Sequence, residues 1–308
     1  MGRTGFWITF TAAAAVSLGA TAIWHARARW RRETAALAAA IGAGAMGASR
    51  TQPPPDAAGG GTPPHHGLAA EVPPPVRRYL AASLPHTAEL IHTARLVSTG
   101  MFRQVEPGAS TDPDAGWMPF TATQTVGADP PAFVWDALIR MMPGLDILVR
   151  DAYCAGRGSM HASLLGAVPL VAAQGDAELD AGALMRYLAE APWFPAVLRP
   201  GPFLQWSAGD DAHATATLTY AGCRVSVDFE FDAAGDIVGV AARRYRAAGG
   251  GYQLDPWAGR FWQHETRGGV RIPTRGEVAW MVGGRAYPYW RGQITAVRYD
   301  RAPAASPG

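Results

Sequence analysis

With 48% hydrophobic residues, a chain of 308 residues has ample material for a core, and its net charge of +2 argues against an extended nucleic-acid surface. All 27 residues of the Lys+Arg total are arginine, a bias that goes with the abundance of Ala, Gly and Pro and names no partner.

Phe6 to Trp24 carries no charge; its 19 residues at about 1.5 Å each reach roughly 28 Å, close to a hydrocarbon core of about 30 Å. Trp7 and Trp24 mark its ends, and His25, Arg27, Arg29, Arg31 and Arg32 follow at once. The pattern predicts a transmembrane helix that holds the protein in a cell membrane by a single pass through residues 6–24. The flanking arginines favour a cytoplasmic body. The rival reading is a secretory signal, with Arg3 as its basic start and Ala20-Thr21-Ala22 as its cleavage site. An arginine cluster directly after the apolar run favours the uncleaved anchor. Glu33 to Ala48 continues as a helix near the membrane surface until Gly42, Gly44 and Gly47 break it. Residues 1–49 are thus anchor and juxtamembrane segment, and residues 50–71, rich in Pro and Gly, form a disordered linker. The linker's His65 and His66 have no Cys or carboxylate at ligand spacing, so no metal is expected there.

Residues 72–301 form one β-rich domain, and residues 302–308 a disordered tail. A short helix from Val76 to Leu84 opens the domain. Strands follow at Leu90 to Arg103, Trp117 to Val126, Ala132 to Ile139, Ile147 to Ala155 and Gly158 to Leu165. Asp176 can then cap a helix that ends at Pro192, with Leu184, Tyr187, Leu188 and Ala191 as its apolar stripe. Trp193, Phe194 and Pro195 make a bulky corner after it. Further strands are Leu204 to Ser207, His213 to Tyr220, Arg224 to Phe231, Ile237 to Arg246, Arg260 to Thr266, Val278 to Val282 and Gln293 to Tyr299. In Arg224 to Phe231 apolar and polar residues alternate without an error, so one face is core and the other water. The fold class is α+β, mainly β: a curved antiparallel sheet, half-barrel-like, with one main amphipathic helix packed on it and a transmembrane helix before it.

Val76-Arg-Arg-Tyr-Leu80, Trp117-x-Pro-Phe120, Asp151-Ala-Tyr153 with Gly156-x-Gly158, Arg186-Tyr-Leu-Ala-Glu190 with Trp193-Phe-Pro195, and Arg271-Ile-Pro273 with Trp280 carry a resemblance. Together they resemble an uncharacterised bacterial domain family whose members have an N-terminal apolar helix and no assigned activity. The strand pattern with one inserted helix is also similar to the lipoprotein-localisation-factor type of half-barrel. That resemblance implies a curved sheet holding a helix and an acyl chain in its concavity.

Candidate chemistry is sparse. Arg186 and Glu190 stand four apart on a helix, which suits a surface ion pair. Asp151 and Tyr153 face the same side of a strand, so a carboxylate and a phenol could meet a ligand there. His161, His213 and His264 are isolated, no catalytic motif is present, and no metal or cofactor is expected. Cys154 and Cys223 read as two buried thiols; pairing would need their strands to meet. The reading is a membrane-anchored, non-catalytic binding domain of unknown specificity, with a lipid or acylated molecule as candidate ligand. Its candidate binding residues are Trp193, Phe194, Tyr153, Asp151, Arg186 and Glu190. The alternatives are an enzyme of unknown reaction using Asp151, Tyr153, Arg186 and Glu190, or a scaffold or sensor that binds a protein.

Overall fold

The computed structural model describes residues 4–48, 72–85, 91–104, 112 and 114–301. The linker expected over 50–71, with its two histidines, and the tail 302–308 lie outside the described residues.

Short runs that alternate between apolar and polar residues, separated by Gly-containing turns, pair with their chain neighbours and build a meander. Its first half holds β1 (Ile91–Phe102), β2 (Met118–Gly127), β3 (Ala132–Met142), β4 (Leu145–Cys154), β5 (Arg157–Leu164) and β6 (Val168–Gln174). The second holds β7 (Leu204–Ala208), β8 (His213–Tyr220), β9 (Cys223–Phe231), β10 (Ile237–Ala248), β11 (Gly251–Arg267), β12 (Val270–Val282) and β13 (Arg285–Arg301). In β9 the alternation works as read: Val225, Val227, Phe229 and Phe231 are buried, and Arg224, Ser226, Asp228 and Glu230 are exposed. The two meanders join where β1 pairs antiparallel with β13, Ala94 opposite Tyr299. The result is a single sheet of 13 strands among the described residues, in the order β6-β5-β4-β3-β2-β1-β13-β12-β11-β10-β9-β8-β7. Strand β6 was not expected, because its residues are almost all exposed and its sequence does not alternate.

Two helices, α2 (Pro74–Ser83) and α3 (Ala177–Ala189), pack with this domain. The outermost strands in the order are β6 and β7, and α3 lies in the segment that connects them. That connection carries α3 through the concavity, where Leu184 and Leu188 are fully buried and Ala183 and Tyr187 nearly so. Two 3-10 turns, Ala191–Trp193 and Pro195–Leu198, lead on to β7. The expected helix start is correct in place, although the Asp176 side chain makes no capping hydrogen bond.

The N-terminal helix α1 (Thr4–Ala48) requires a correction. Among the described residues no helix is long and apolar enough to cross a membrane, so the architecture is a mainly β half-barrel with few helices, without the expected transmembrane span. The charged residues from Arg27 to Glu33 belong to the same unbroken helix, and the first and last of them, Arg27 and Glu33, help to dock it on the sheet. The Trp30 indole N–H donates to Asp136 Oδ1 (2.7 Å), Arg150 Nη2 donates to Glu33 Oε2 (2.8 Å), and the Arg150 guanidinium lies 4.6 Å from the Trp30 ring centre. Ile41, with Leu37 and Ala38, packs on Ala132, Val134 and Ala152. Those three alternate with the inward-facing Phe133, Trp135 and Tyr153, so α1 covers the outer face of β3 and β4. Gly42 and Gly44 do not end the helix: Gly44 lies beside Pro130 of the β2–β3 turn. The segment expected near a membrane surface therefore lies on the protein's own sheet.

Candidate functional site

Helix α3 has to come unusually close to β5 to fill the concavity. At Gly158 a Cβ would sit 2.7 Å from the Leu179 carbonyl oxygen and 3.1 Å from Ala183 Cβ, so only glycine allows the approach. Asp180 in the first turn of α3 completes the contact by accepting the Gly158 N–H at 2.6 Å. At the other end, the Tyr187 hydroxyl donates to the Gly127 carbonyl at 2.8 Å, and burial raises its pKa well above the usual value. The helix is thus held against both β5 and the β2–β3 turn.

Between these points Arg186 points into the sheet, and the pair expected at the surface is half-buried in a network. Its Nη1 donates to Asp151 Oδ2 at 2.5 Å and its Nε to Glu190 Oε1 at 2.8 Å. Gln124 Nε2 donates to the other Glu190 oxygen at 2.7 Å. The guanidinium also lies over the rings of Trp135 (4.8 Å) and Phe133 (5.3 Å). Burial pushes the Asp151 carboxyl above the usual range and Arg186 pulls it back. Burial alone would lower the Arg186 pKa, but the Glu190 and Asp151 carboxylates outweigh it and hold the guanidinium charged. Two acids facing one fixed cation form an electrostatic anchor for the helix.

Tyr153 is fully buried beside Asp151 on the inner face of β4, its ring 6.3 Å from that of Tyr220. Its hydroxyl is buried with no hydrogen-bond partner, and burial, then the nearby Cys223 and Tyr220, raise its pKa. The cysteines are both free. Cys154 packs with the α1 cluster on the outer face and Cys223 with the inner core.

The aromatic corner closes the concavity on the side of β11–β13. The Trp193 ring meets Phe261 edge-on and Trp290 at a tilt, each with centroids 5.6 Å apart, while Phe194 stacks on Tyr299 at 6.2 Å. The absence of a side chain at Gly276 admits the Trp193 ring, for a Cβ there would stand 3.1 Å from Cζ2. The Trp193 carbonyl accepts the Tyr299 hydroxyl at 3.1 Å, but the Trp193 indole N–H is buried with no acceptor. An indentation of about 280 Å³, counting the solvent at its mouth, lies at this corner. Leu96, Val126, Tyr187, Ala191, Trp193, Phe194 and Val197 line it, with Gln124 and Glu190 as its polar members.

Of the six residues singled out in the sequence, Asp151, Arg186 and Glu190 come together in one network. Glu190 also borders the indentation that Trp193 and Phe194 line, whereas Tyr153 is not among the residues that line it. Sequence reasoning missed Gln124, Arg244 and Asp236. Gln124 had a signal: it is the polar member of the inward series Phe120, Ala122, Gln124, Val126. Arg244, from β10, donates to the Gly182 carbonyl of α3 at 3.2 Å and lies over Trp257. Asp236 takes both Nε and Nη2 of Arg271, at 2.8 and 2.6 Å, which gives the Arg271-Ile-Pro273 motif a latching role between a hairpin turn and β12. Among the described residues no group of His, Cys, Asp and Glu is arranged to hold a metal ion.

No curated protein matches the chain. Two solved structures are similar in outline: a LolA superfamily protein from Nitrosomonas europaea (10% identity, 74% of this chain and 93% of that one, TM-score 0.37) and a DUF1329 family protein from Desulfovibrio piger (9% identity, 74% and 94%, TM-score 0.38). The model of the family of unknown function DUF6920 matches residues 70–299, which take in all of the sheet but the last two residues of β13, together with its inner helix, and the chain belongs to that family.

Proposed function

We propose that the domain is a binding module for a ligand with an apolar chain, a lipid or an acylated molecule, which enters beside Trp193 and Phe194. The observation that carries this reading is the apolar indentation at the corner, where a buried indole N–H lacks an acceptor and Gln124 and Glu190 stand at the polar side. A ligand's carbonyl or phosphate oxygen would satisfy that donor, and its chain would replace contacts between the 3-10 turns and β1–β2. Size sets a condition. The room inside the indentation itself is only about 10 Å³, little more than a single water, against the roughly 300–1,000 Å³ usual for ligand pockets. Binding therefore requires the corner to lift, with α3 staying anchored through Arg186.

Native mass spectrometry of the full chain purified from cells, followed by solvent extraction, tests for a co-purified lipid. Ligand at a hundred times its Kd adds about 2.7 kcal/mol of stability, so thermal unfolding with fatty acids, phospholipids or acyl peptides should show a clear upward shift. Trp193→Ala should reduce that shift while the fold survives. A ligand-free protein that gains no stability from any of these compounds ends the reading.

A further inference from the structure

Outside the site just described, one end of the sheet carries apolar side chains that no described element covers. Met141 and Met142, at the β3–β4 hairpin, and Val168, Leu170 and Val171, in β6, are all exposed, Met142, Val168 and Leu170 to more than half. These hairpins are neighbours: Ile147 of β4 pairs with Leu164 of β5, and the Leu165 N–H donates to the Asp146 carbonyl at 2.8 Å. Helix α1 meets the sheet at the same end, where Arg27 Nη2 donates to Asp146 Oδ2 and its Nε to the Leu165 carbonyl, each at 3.2 Å. One turn before that contact Trp24 is 61% exposed, and the uncharged run from Phe6 to Trp24 belongs to the part of α1 on its far side.

Charge follows the same geometry. Arg29, Arg31, Arg32 and Arg140 are exposed around this end. Its acidic groups, Glu33 and Asp146, are already engaged, by Arg150 and Arg29 and by Arg27 and Arg140 respectively. At about 1.5 Å per residue, Arg29 to Arg32 stand roughly 8–12 Å behind Trp24 along the helix. That spacing matches an aromatic ring at the acyl boundary with cations at the phosphates above it.

We propose that this end of the protein docks on the surface of an anionic phospholipid bilayer. Met141, Met142, Val168, Leu170 and Trp24 enter the boundary between headgroups and acyl chains, and the arginines bind phosphate. The inference is independent of the ligand reading, since none of these residues borders the aromatic corner.

Flotation of the full chain with vesicles tests it. The protein should float with phosphatidylglycerol–phosphatidylcholine vesicles far more than with phosphatidylcholine alone, and less as salt rises. Met142→Asp with Leu170→Asp should lower the bound fraction about tenfold or more. Arg31→Glu with Arg32→Glu should abolish the preference for anionic lipid, at roughly fivefold per arginine. Because all four side chains are exposed, thermal unfolding should not change, which separates lost docking from lost folding. Flotation unaltered by both pairs of changes would assign the binding to the uncharged helical run alone and overturn the proposal. A chain that ignores vesicles but dimerises, and becomes monomeric with Met142→Asp and Leu170→Asp, would assign the surface to a second copy and overturn it too.

Discussion

Removing the guanidinium of Arg186 would leave the Asp151 carboxylate, 6% exposed, beside aromatic rings with only the weaker influence of Arg244 as counter-charge. Breaking a buried pair by deleting one partner typically costs about 3–5 kcal/mol, so Arg186→Met should lower the urea midpoint sharply. Asp151→Asn should cost less, because Arg186 keeps its bond to Glu190. Equal stability of Arg186→Met and the parent would show that the network is open to water. Cys154 offers a second residue-level check. Burial pushes its thiol from the usual value near 9 to about 11, which leaves roughly a hundredfold less thiolate at pH 8. Iodoacetamide should therefore label it slowly in the native protein and readily in urea. The sign for stability follows: a raised native pKa favours the protonated thiol, so its contribution is intact below pH 9 and fades as the pH climbs towards 11.

At the scale of elements, α3 is held by shape on one side and charge on the other. Leu188 is fully buried among core side chains, so Leu188→Asp places an unpaired charge in an apolar interior and should cost several kcal/mol. Glu178→Asp, at the helix start outside the core, is the matched control and should change little. Gly158→Ala tests the close approach itself. With 2.7 Å to the Leu179 carbonyl there is no room for the methyl group, and a loss of about 1–3 kcal/mol is expected by calorimetry. A Gly158→Ala protein as stable as the parent would mean that α3 rides higher above β5.

Across the whole molecule, β3 and β4 are covered on both faces, by α3 inside and α1 outside. In β4 this gives four successive buried residues: Arg150 and Ala152 face α1, Asp151 and Tyr153 face α3. Helix α1 is then part of the folded unit. Trp30→Ala would delete the donor to Asp136 and the ring under Arg150, with an expected cost of about 3–5 kcal/mol. Limited trypsin digestion should release the segment before Glu33 faster from this variant; unchanged rates and an unchanged melting temperature would mean that α1 is docked only weakly.

What the sequence determined by itself is the local part of the structure. The alternation Val225, Val227, Phe229, Phe231, the turn at Ala221-Gly222 and the stripe Leu184, Tyr187, Leu188 were legible because a side chain's period and its nearest partners are set within a few residues. Strand β6 escaped notice, since an edge strand exposed on both faces has no period to read. Tertiary structure alone decided four things: that β1 closes on β13, that α1 lies on the outer face of β3 and β4, that Cys154 and Cys223 pack in different clusters, and that Arg186 and Glu190 join the buried Asp151 in one half-buried network. Each depends on which surfaces meet across the sheet. A helix with arginines beside an apolar run satisfies the same local pattern on a bilayer or on a protein, and an ion pair at four-residue spacing looks the same wet or dry. Only the facing residues, Asp136 and Arg150 for the helix and Asp151 with Trp135 for the pair, distinguish the cases.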